Sequence, residues 1–211
     1  MRTLVLRTNP ESPDPQVILQ GAQAIRRGEL VAFPTETVYG LGADAFNERA
    51  VERVFEVKGR PKNNPLPVQI ASVEDVSSLA VEISDVAKRL MEHFWPGPLT
   101  LVLRASPRVS KLITAGTGKI GIRIPDHPVA LALIKKAGTP IVAPSANTSG
   151  EPPPTTAEQV LTYLEGKIEL VIDAGPTEIQ VSSTVLDVTE TPPRVLRAGS
   201  ITWEMLLPYI A

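Results

Sequence analysis

Two stretches in the first quarter of the chain hold residue types that bind anions. PTETVYGLGAD (Pro34 to Asp44) places the hydroxyls of Thr35, Thr37 and Tyr39 beside Gly40 and Gly42. Hydroxyls hydrogen-bond oxyanions, and glycines let a ligand approach the backbone. KGRPKNNPL (Lys58 to Leu66) places Lys58, Arg60 and Lys62 within five residues. An arginine fork matches phosphate or carboxylate, and a lysine supplies a point charge. The same run also reads as a solvated charge cluster at a helix C-terminus, where the dipole favours cations. Pro61, Pro65 and Pro67 weigh against an idle loop, because they stiffen it. Asn63 and Asn64 add donors and acceptors, and both are also ordinary turn formers.

Later segments add to this chemistry. PSANTSG (Pro144 to Gly150) crowds Ser145, Asn147, Thr148 and Ser149 into one loop, and VSSTV contributes Ser182, Ser183 and Thr184. G-x-S-x-G is absent and no histidine is near in sequence, so Ser145 is not a nucleophile elbow. In IGIRIP, Ile120, Ile122 and Ile124 share one strand face, which leaves Arg123 on the other with Gly121. In RVLRAG, Arg197 ends a strand pattern. A strand arginine beside a glycine fits a guanidinium reaching into a cleft; a half-exposed sheet face is the plain alternative. GTGKIG (Gly116 to Gly121) matches G-x-G-x-x-G by letters only, since a strand follows it where the dinucleotide fingerprint needs a helix. There is no Walker A pattern.

Composition narrows the classes. The chain has 211 residues, no cysteine and two histidines, His93 and His127. Disulfides, thiolate metal sites and cysteine nucleophiles are excluded, and few histidine-based metal sites remain open. The net charge of −2 does not fit a surface wholly given to nucleic acid. Aromatic residues are only 4%, so the core must be aliphatic. MRTLVLRTNP contains no apolar run of signal-peptide or membrane-span length, so the expected location is cytoplasmic, with no membrane contact.

The elements that must position these residues alternate. Strands are expected at Thr3–Leu6, Leu30–Phe33, Leu66–Ala71, Leu99–Leu103, Ile120–Ile124, Pro140–Ala143, Leu170–Asp173, Ser183–Val188 and Arg194–Arg197. Helices are expected at Pro15–Arg27, Glu48–Val57, Asp85–Phe94, Pro128–Ala137, Ala157–Leu164 and Thr202–Leu206. Such interleaving is α/β with a mixed sheet, in one domain over residues 1–211. Both PTETVYGLGAD and PSANTSG follow strands, where open α/β sheets place ligands. Asn47 is the expected cap of the second helix, which must end near Val57 because Gly59 and Pro61 follow. Lys58 and Arg60 then stand on an irregular segment, free to aim at a ligand. Asp126 is the expected cap of the Pro128 helix, with Gly138 as its stop. Thr156 with Gln159 reads as a capping box.

PTETVYGLGAD, K-x-R with PKNNPL, WPGPLT, IGIRIPDHP, APSAN and VLRAG, in this order, resemble the YrdC-type threonylcarbamoyl-AMP synthases. The likeness runs from about Leu30 to Gly199. It implies a twisted, open, mixed α/β sheet flanked by helices, with a concave, positively charged cleft. It implies a nucleotidyltransferase that joins L-threonine, bicarbonate and ATP and releases pyrophosphate. A threonylcarbamoyl transferase complex acting on tRNA would be the downstream partner. By motif, Lys58 and Arg60 would hold the phosphates, as the residues nearest to a catalytic role. Thr35, Arg123 and Ser183 would bind threonine. Asn64, Ser145, Asn147, Thr155 and Arg197 would complete the nucleotide site. Magnesium would ride on ATP with no dedicated protein site. Anionic reactants put the weight on cations and positioning rather than on a nucleophile.

Gln69 stands where many relatives have histidine, and Ser182 where several have glutamate. Longer members also carry a linker and a C-terminal domain that this chain lacks, so any lid they provide is expected to be missing or replaced by a loop. Two other functions accompany the resemblance: a non-catalytic module binding double-stranded RNA or tRNA, and a carbamoyl-adenylate-forming domain. The K-x-R and S-x-N pairs favour the synthase, and the short chain disfavours the domain.

Overall fold

Short β-branched runs separated by amphipathic stretches build a sheet between helical layers. The computed structural model describes residues 2–210. In chain order its elements are β1 (Leu4–Arg7), α1 (Pro15–Arg26), β2 (Val31–Phe33), β3 (Gly40–Asp44), α2 (Glu48–Lys58), β4 (Val68–Gln69), a 3-10 turn (Val73–Asp75), α3 (Val76–Leu79), β5 (Ala80–Val81), α4 (Asp85–Phe94) and β6 (Leu99–Ala105). They continue with α5 (Lys111–Thr114), β7 (Lys119–Arg123), α6 (Pro128–Ala137), β8 (Ile141–Val142), α7 (Ala157–Leu164), β9 (Leu170–Asp173), β10 (Thr184–Asp187), β11 (Arg194–Arg197) and α8 (Trp203–Ile210).

The strands join in the order β1-β9-β2-β3-β8-β4-β7-β6-β10-β11, with β5 beside β6. Pairing is mixed. β4 lies parallel to β7 and antiparallel to β8, while β6 lies antiparallel to β7 and parallel to β10. Helices cover both faces. One apolar layer joins α1 and α6 to the sheet through Ile25, Leu133, Phe33 and Ile172. The other joins α2, α4 and α7 through Val54, Leu90, Val160 and Ile122. Coverage on both sides explains why Val31, Ala32 and Phe33 are all fully buried instead of alternating.

The expected strands and long helices are present, with informative shifts. Helix α2 runs through Lys58 and stops at Gly59, whose φ of 60° gives the left-handed cap that a glycine tolerates. Lys58 is thus helical, not part of an irregular segment. The cap of α6 is His127, whose Nδ1 accepts from the Val129 N–H, not Asp126. Strand β4 keeps two of six expected residues, because Pro65 and Pro67 supply no N–H to a ladder. Thr156 caps α7 as expected, but the Gln159 side chain accepts from the Thr155 N–H instead of from the cap itself. Helix α8 continues past Leu206 to Ile210 with Pro208 inside it. β5, α3 and α5 lie outside the expected elements, and each is only two to four residues long. Among the described residues, no helix is long and apolar enough to cross a membrane.

Candidate active site

The central strands end in loops that converge. The loop after β2 brings Thr35 and Thr37, the loop after β8 brings Ser145, and the approach to β10 brings Ser182 and Ser183. Strand β7 brings Arg123, β11 brings Arg197, and the segment after α2 brings Arg60. These residues, with Gln69 and Thr100, line a cleft of about 90 Å³. A second, more apolar cleft of about 330 Å³ adjoins it, walled by Leu66, Val102, Val185 and Leu196. Gly121 lies in its floor, where an added Cβ would come within 3.2 Å of the Thr100 methyl. Arg60 and Arg197 line both clefts.

The Thr35 end is closely knit. Thr35 Oγ1 lies 2.9 Å from Thr37 Oγ1 and donates to the Val38 carbonyl. Arg123 is 5% exposed and donates from Nη1 to Glu36 Oε1 at 2.5 Å. Its Nη2 reaches Thr35 and Thr37 at 3.4 Å each. Burial pulls the guanidinium's pKa down and the Glu36 carboxylate pulls it back up. Glu36 has a second role, since its backbone carbonyl accepts from the Ile179 N–H and ties down the loop before β10.

The cationic end is held differently. The prolines fold KGRPKNNPL so that the Asn64 N–H bonds the Pro61 carbonyl. Arg60 therefore finds its acceptors close by, at the Asn64 carbonyl, Asn64 Oδ1 and the Pro65 carbonyl at 3.1, 2.7 and 2.6 Å. Arg197 donates to the Ser183 carbonyl at 3.0 and 2.8 Å and to Ser183 Oγ at 3.0 Å. Ser183 Oγ also meets Thr100 Oγ1 at 2.8 Å. Each of these acceptors is neutral. Burial lowers the pKa of Arg60, and the charge of Arg197 lowers it further; Arg197 is lowered by burial and then by Arg123. Among the described residues, Arg60 and Arg197 gather like charge with no carboxylate acceptor, an arrangement that favours anions.

Comparison with known proteins places the chain in a family. The Sua5/YciO/YrdC family model, described as "Telomere recombination", matches residues 23–199. The chain belongs to that family. It is 55% identical over 180 residues to the threonylcarbamoyl-AMP synthase of Pyrococcus abyssi, covering 85% of this chain and 53% of that protein. It is 52% identical over 194 residues to the Bacillus subtilis threonylcarbamoyl-AMP synthase, covering 92% and 56%. The solved structure of P. abyssi Sua5 complexed with L-threonine superposes with a TM-score of 0.97 at 50% identity, over 99% of this chain and 61% of that one. The chain thus spans about half the length of the curated relatives it matches.

Within this family member the expected site residues separate into groups. Thr35, Arg60, Arg123, Ser145, Ser183 and Arg197 meet in the first cleft, and Asn64 lines the second. Lys58, Asn147 and Thr155 line neither. Lys58 is 1% exposed. The Asn147 amide turns inward to the carbonyls of Thr148 and Glu151. Thr155 bonds Gln159 at the start of α7. Tyr39 is also withdrawn, its hydroxyl donating to the Gly175 carbonyl at 2.7 Å. Gly42 serves packing and not ligand approach, since an added Cβ would stand 2.8 Å from the Phe33 ring. Lys62 is the solvated member of the charge run, paired with Glu52 at 2.6 Å.

Motif reading gave no site role to two lining residues, Thr100 and Lys119, and marked Gln69 only for standing where many relatives have histidine. Thr100 was visible as a hydroxyl between the apolar Leu99 and Leu101, at a position whose side chain faces the cleft. Gln69 pairs in register with Arg123, and its Oε1 is buried without a partner. Lys119 bridges Asp187 at 2.9 Å and Glu190 at 2.8 Å beside the second cleft, a tertiary contact with no local signal.

Proposed function

We propose that this chain forms threonylcarbamoyl-AMP from L-threonine, bicarbonate and ATP, releasing pyrophosphate. The observation that carries the reading is the Arg60–Arg197 pair, which lines two adjoining clefts and, among the described residues, has only neutral acceptors. A small polar pocket, a cationic waist and an apolar pocket suit an amino acid, a triphosphate and a purine nucleoside in that order. Thr35, Arg123 and Ser183 hold the threonine, and Ser145 and Asn64 support the nucleotide. The amine adds to CO2 derived from bicarbonate to give a carbamate. The carbamate oxygen then attacks the α-phosphorus, and the bond to the pyrophosphate leaving group breaks. Arg60 and Arg197 stabilise the charge spread over the phosphoryl oxygens, so positioned cations replace a covalent nucleophile.

Magnesium comes with the nucleotide, whose oxygens supply its ligands. The donor set here fits that role and not a protein-held ion. Glu36 is engaged by Arg123, and Asp187 by Lys119 and Thr189. Among the described residues, no cluster of three or more histidine, aspartate or glutamate side chains is placed to hold a metal. The adenylate is then consumed by a threonylcarbamoyl transferase acting on tRNA.

The test follows pyrophosphate with ATP, magnesium, bicarbonate and each amino acid in turn. Release that requires both threonine and bicarbonate supports the synthase. No release under any combination, with tight binding of structured RNA retained, favours the RNA-binding module instead.

A further inference from the structure

The lysine of the K-x-R pair lies behind the cleft wall, not in it. Lys58 closes α2, and its Nζ donates to the Ser145 carbonyl at 2.5 Å, the Asn147 carbonyl at 2.7 Å and Asn147 Oδ1 at 3.4 Å. An ammonium has three N–H donors, and three acceptors occupy them. The Lys58 backbone carbonyl accepts from the Ser149 N–H at 2.8 Å, so one residue grips the loop at both ends. Turning Nζ toward a ligand would strand these buried carbonyl oxygens without donors, which costs more than an exposed lysine could regain at a solvated phosphate.

We propose that Lys58 is a positioning residue that shapes the Ser145–Asn147 turn from behind and touches no substrate. It rests on the nucleotide-binding reading only for what the turn is shaped to do. Ser145 is the consequence: it lines the cleft while its own carbonyl is clamped by Lys58. The K-x-R and S-x-N motifs then form one device. Lys58 and Asn147 are its buried fasteners, and Arg60 and Ser145 are the groups it presents.

The first measurement uses the unaltered full chain. Nitrogen-15 NMR of the lysine ammonium groups, without and with saturating ADP, reads the Lys58 contacts directly. A protected, slowly exchanging Lys58 signal already present without nucleotide is the expected result. A signal that exchanges freely until ADP is added overturns the proposal. The second measurement uses Lys58→Met. Backbone amides over 144–151 should exchange at least about tenfold faster in the nucleotide-free protein. The loss in ADP affinity should be non-additive with that of Asn147→Ala, because both act through one turn. Unchanged exchange, or losses that add in full, overturn it as well. Should Lys58→Met fail to fold, the NMR result decides. A wild-type chain that binds no ADP sinks the functional reading, while ammonium protection without nucleotide still decides the positioning role.

Discussion

Arg123 and Arg60 stand at opposite ends of one cleft and are held in opposite ways. Arg123 is buried against the Glu36 carboxylate, so its charge is compensated before any ligand arrives. Among the described residues, Arg60, with Arg197 beside it, donates only to carbonyl, amide and hydroxyl oxygens and meets no carboxylate. A compensated guanidinium orients a ligand through geometry and offers little net attraction. Uncompensated cations in a partly buried waist attract a polyanion and pay for their mutual repulsion only until it binds. The difference is what the proposed reading requires, with a zwitterion of no net charge at one end and a triphosphate at the other.

The largest test of that contrast is Glu36→Ala. It leaves Arg123 buried without its counter-charge and should destabilise the fold by about 3–5 kcal/mol in denaturant titrations. A loss under about 1 kcal/mol would mean that the pair is not the anchor described. Acid should act next. His127 caps α6 four residues after Arg123, and burial holds its pKa down, from 6.5 to about 4. The unfolded chain therefore binds the proton more readily between those values. Stability is full above about pH 6.5, falls as the pH drops toward 4, and levels off below. The loss is at most about 3 kcal/mol, and His127→Asn should flatten the dependence in thermal melts across that range.

At the cationic end the effect should appear in binding. Arg60→Ala removes charge-assisted contacts of about 1.5–3 kcal/mol, so ATP affinity should fall roughly tenfold to a hundredfold by calorimetry. Threonine affinity should hold. Equal losses for both ligands would erase the distinction between the ends. Salt is the mildest probe. Raising ionic strength from about 0.1 M to about 1 M shortens the screening length from about 10 Å to about 3 Å. ATP binding should weaken several-fold while threonine binding barely moves.

Legibility differed along the chain for physical reasons. Proline and glycine positions announced most boundaries, because both residues restrict the backbone locally. Asp126 was the expected α6 cap because aspartate is the commoner one, and the choice between it and its neighbour His127 rests on which side chain the packing turns inward. The KGRPKNNPL run looked like three equivalent cations. In the folded chain Lys62 is solvated, Arg60 lines the clefts and Lys58 is buried, since the end of α2 points each side chain a different way. Glu36 and Thr100 carried no motif of their own as partners of Arg123 and Ser183, because both contacts join residues more than eighty positions apart.

Amino-acid types and local spacing were sufficient for the α/β class and for which short stretches hold anion-binding groups, and the ordered motif blocks carried the family resemblance. Helix period, strand alternation and turn chemistry act over a few residues and are written in the order of the chain. The tertiary structure alone decided which of those groups face the cleft, which serve as its fasteners, and which cation meets a carboxylate. Those outcomes depend on burial and on partners brought from distant strands, where a difference of one helical step moves a charge from solvent to core.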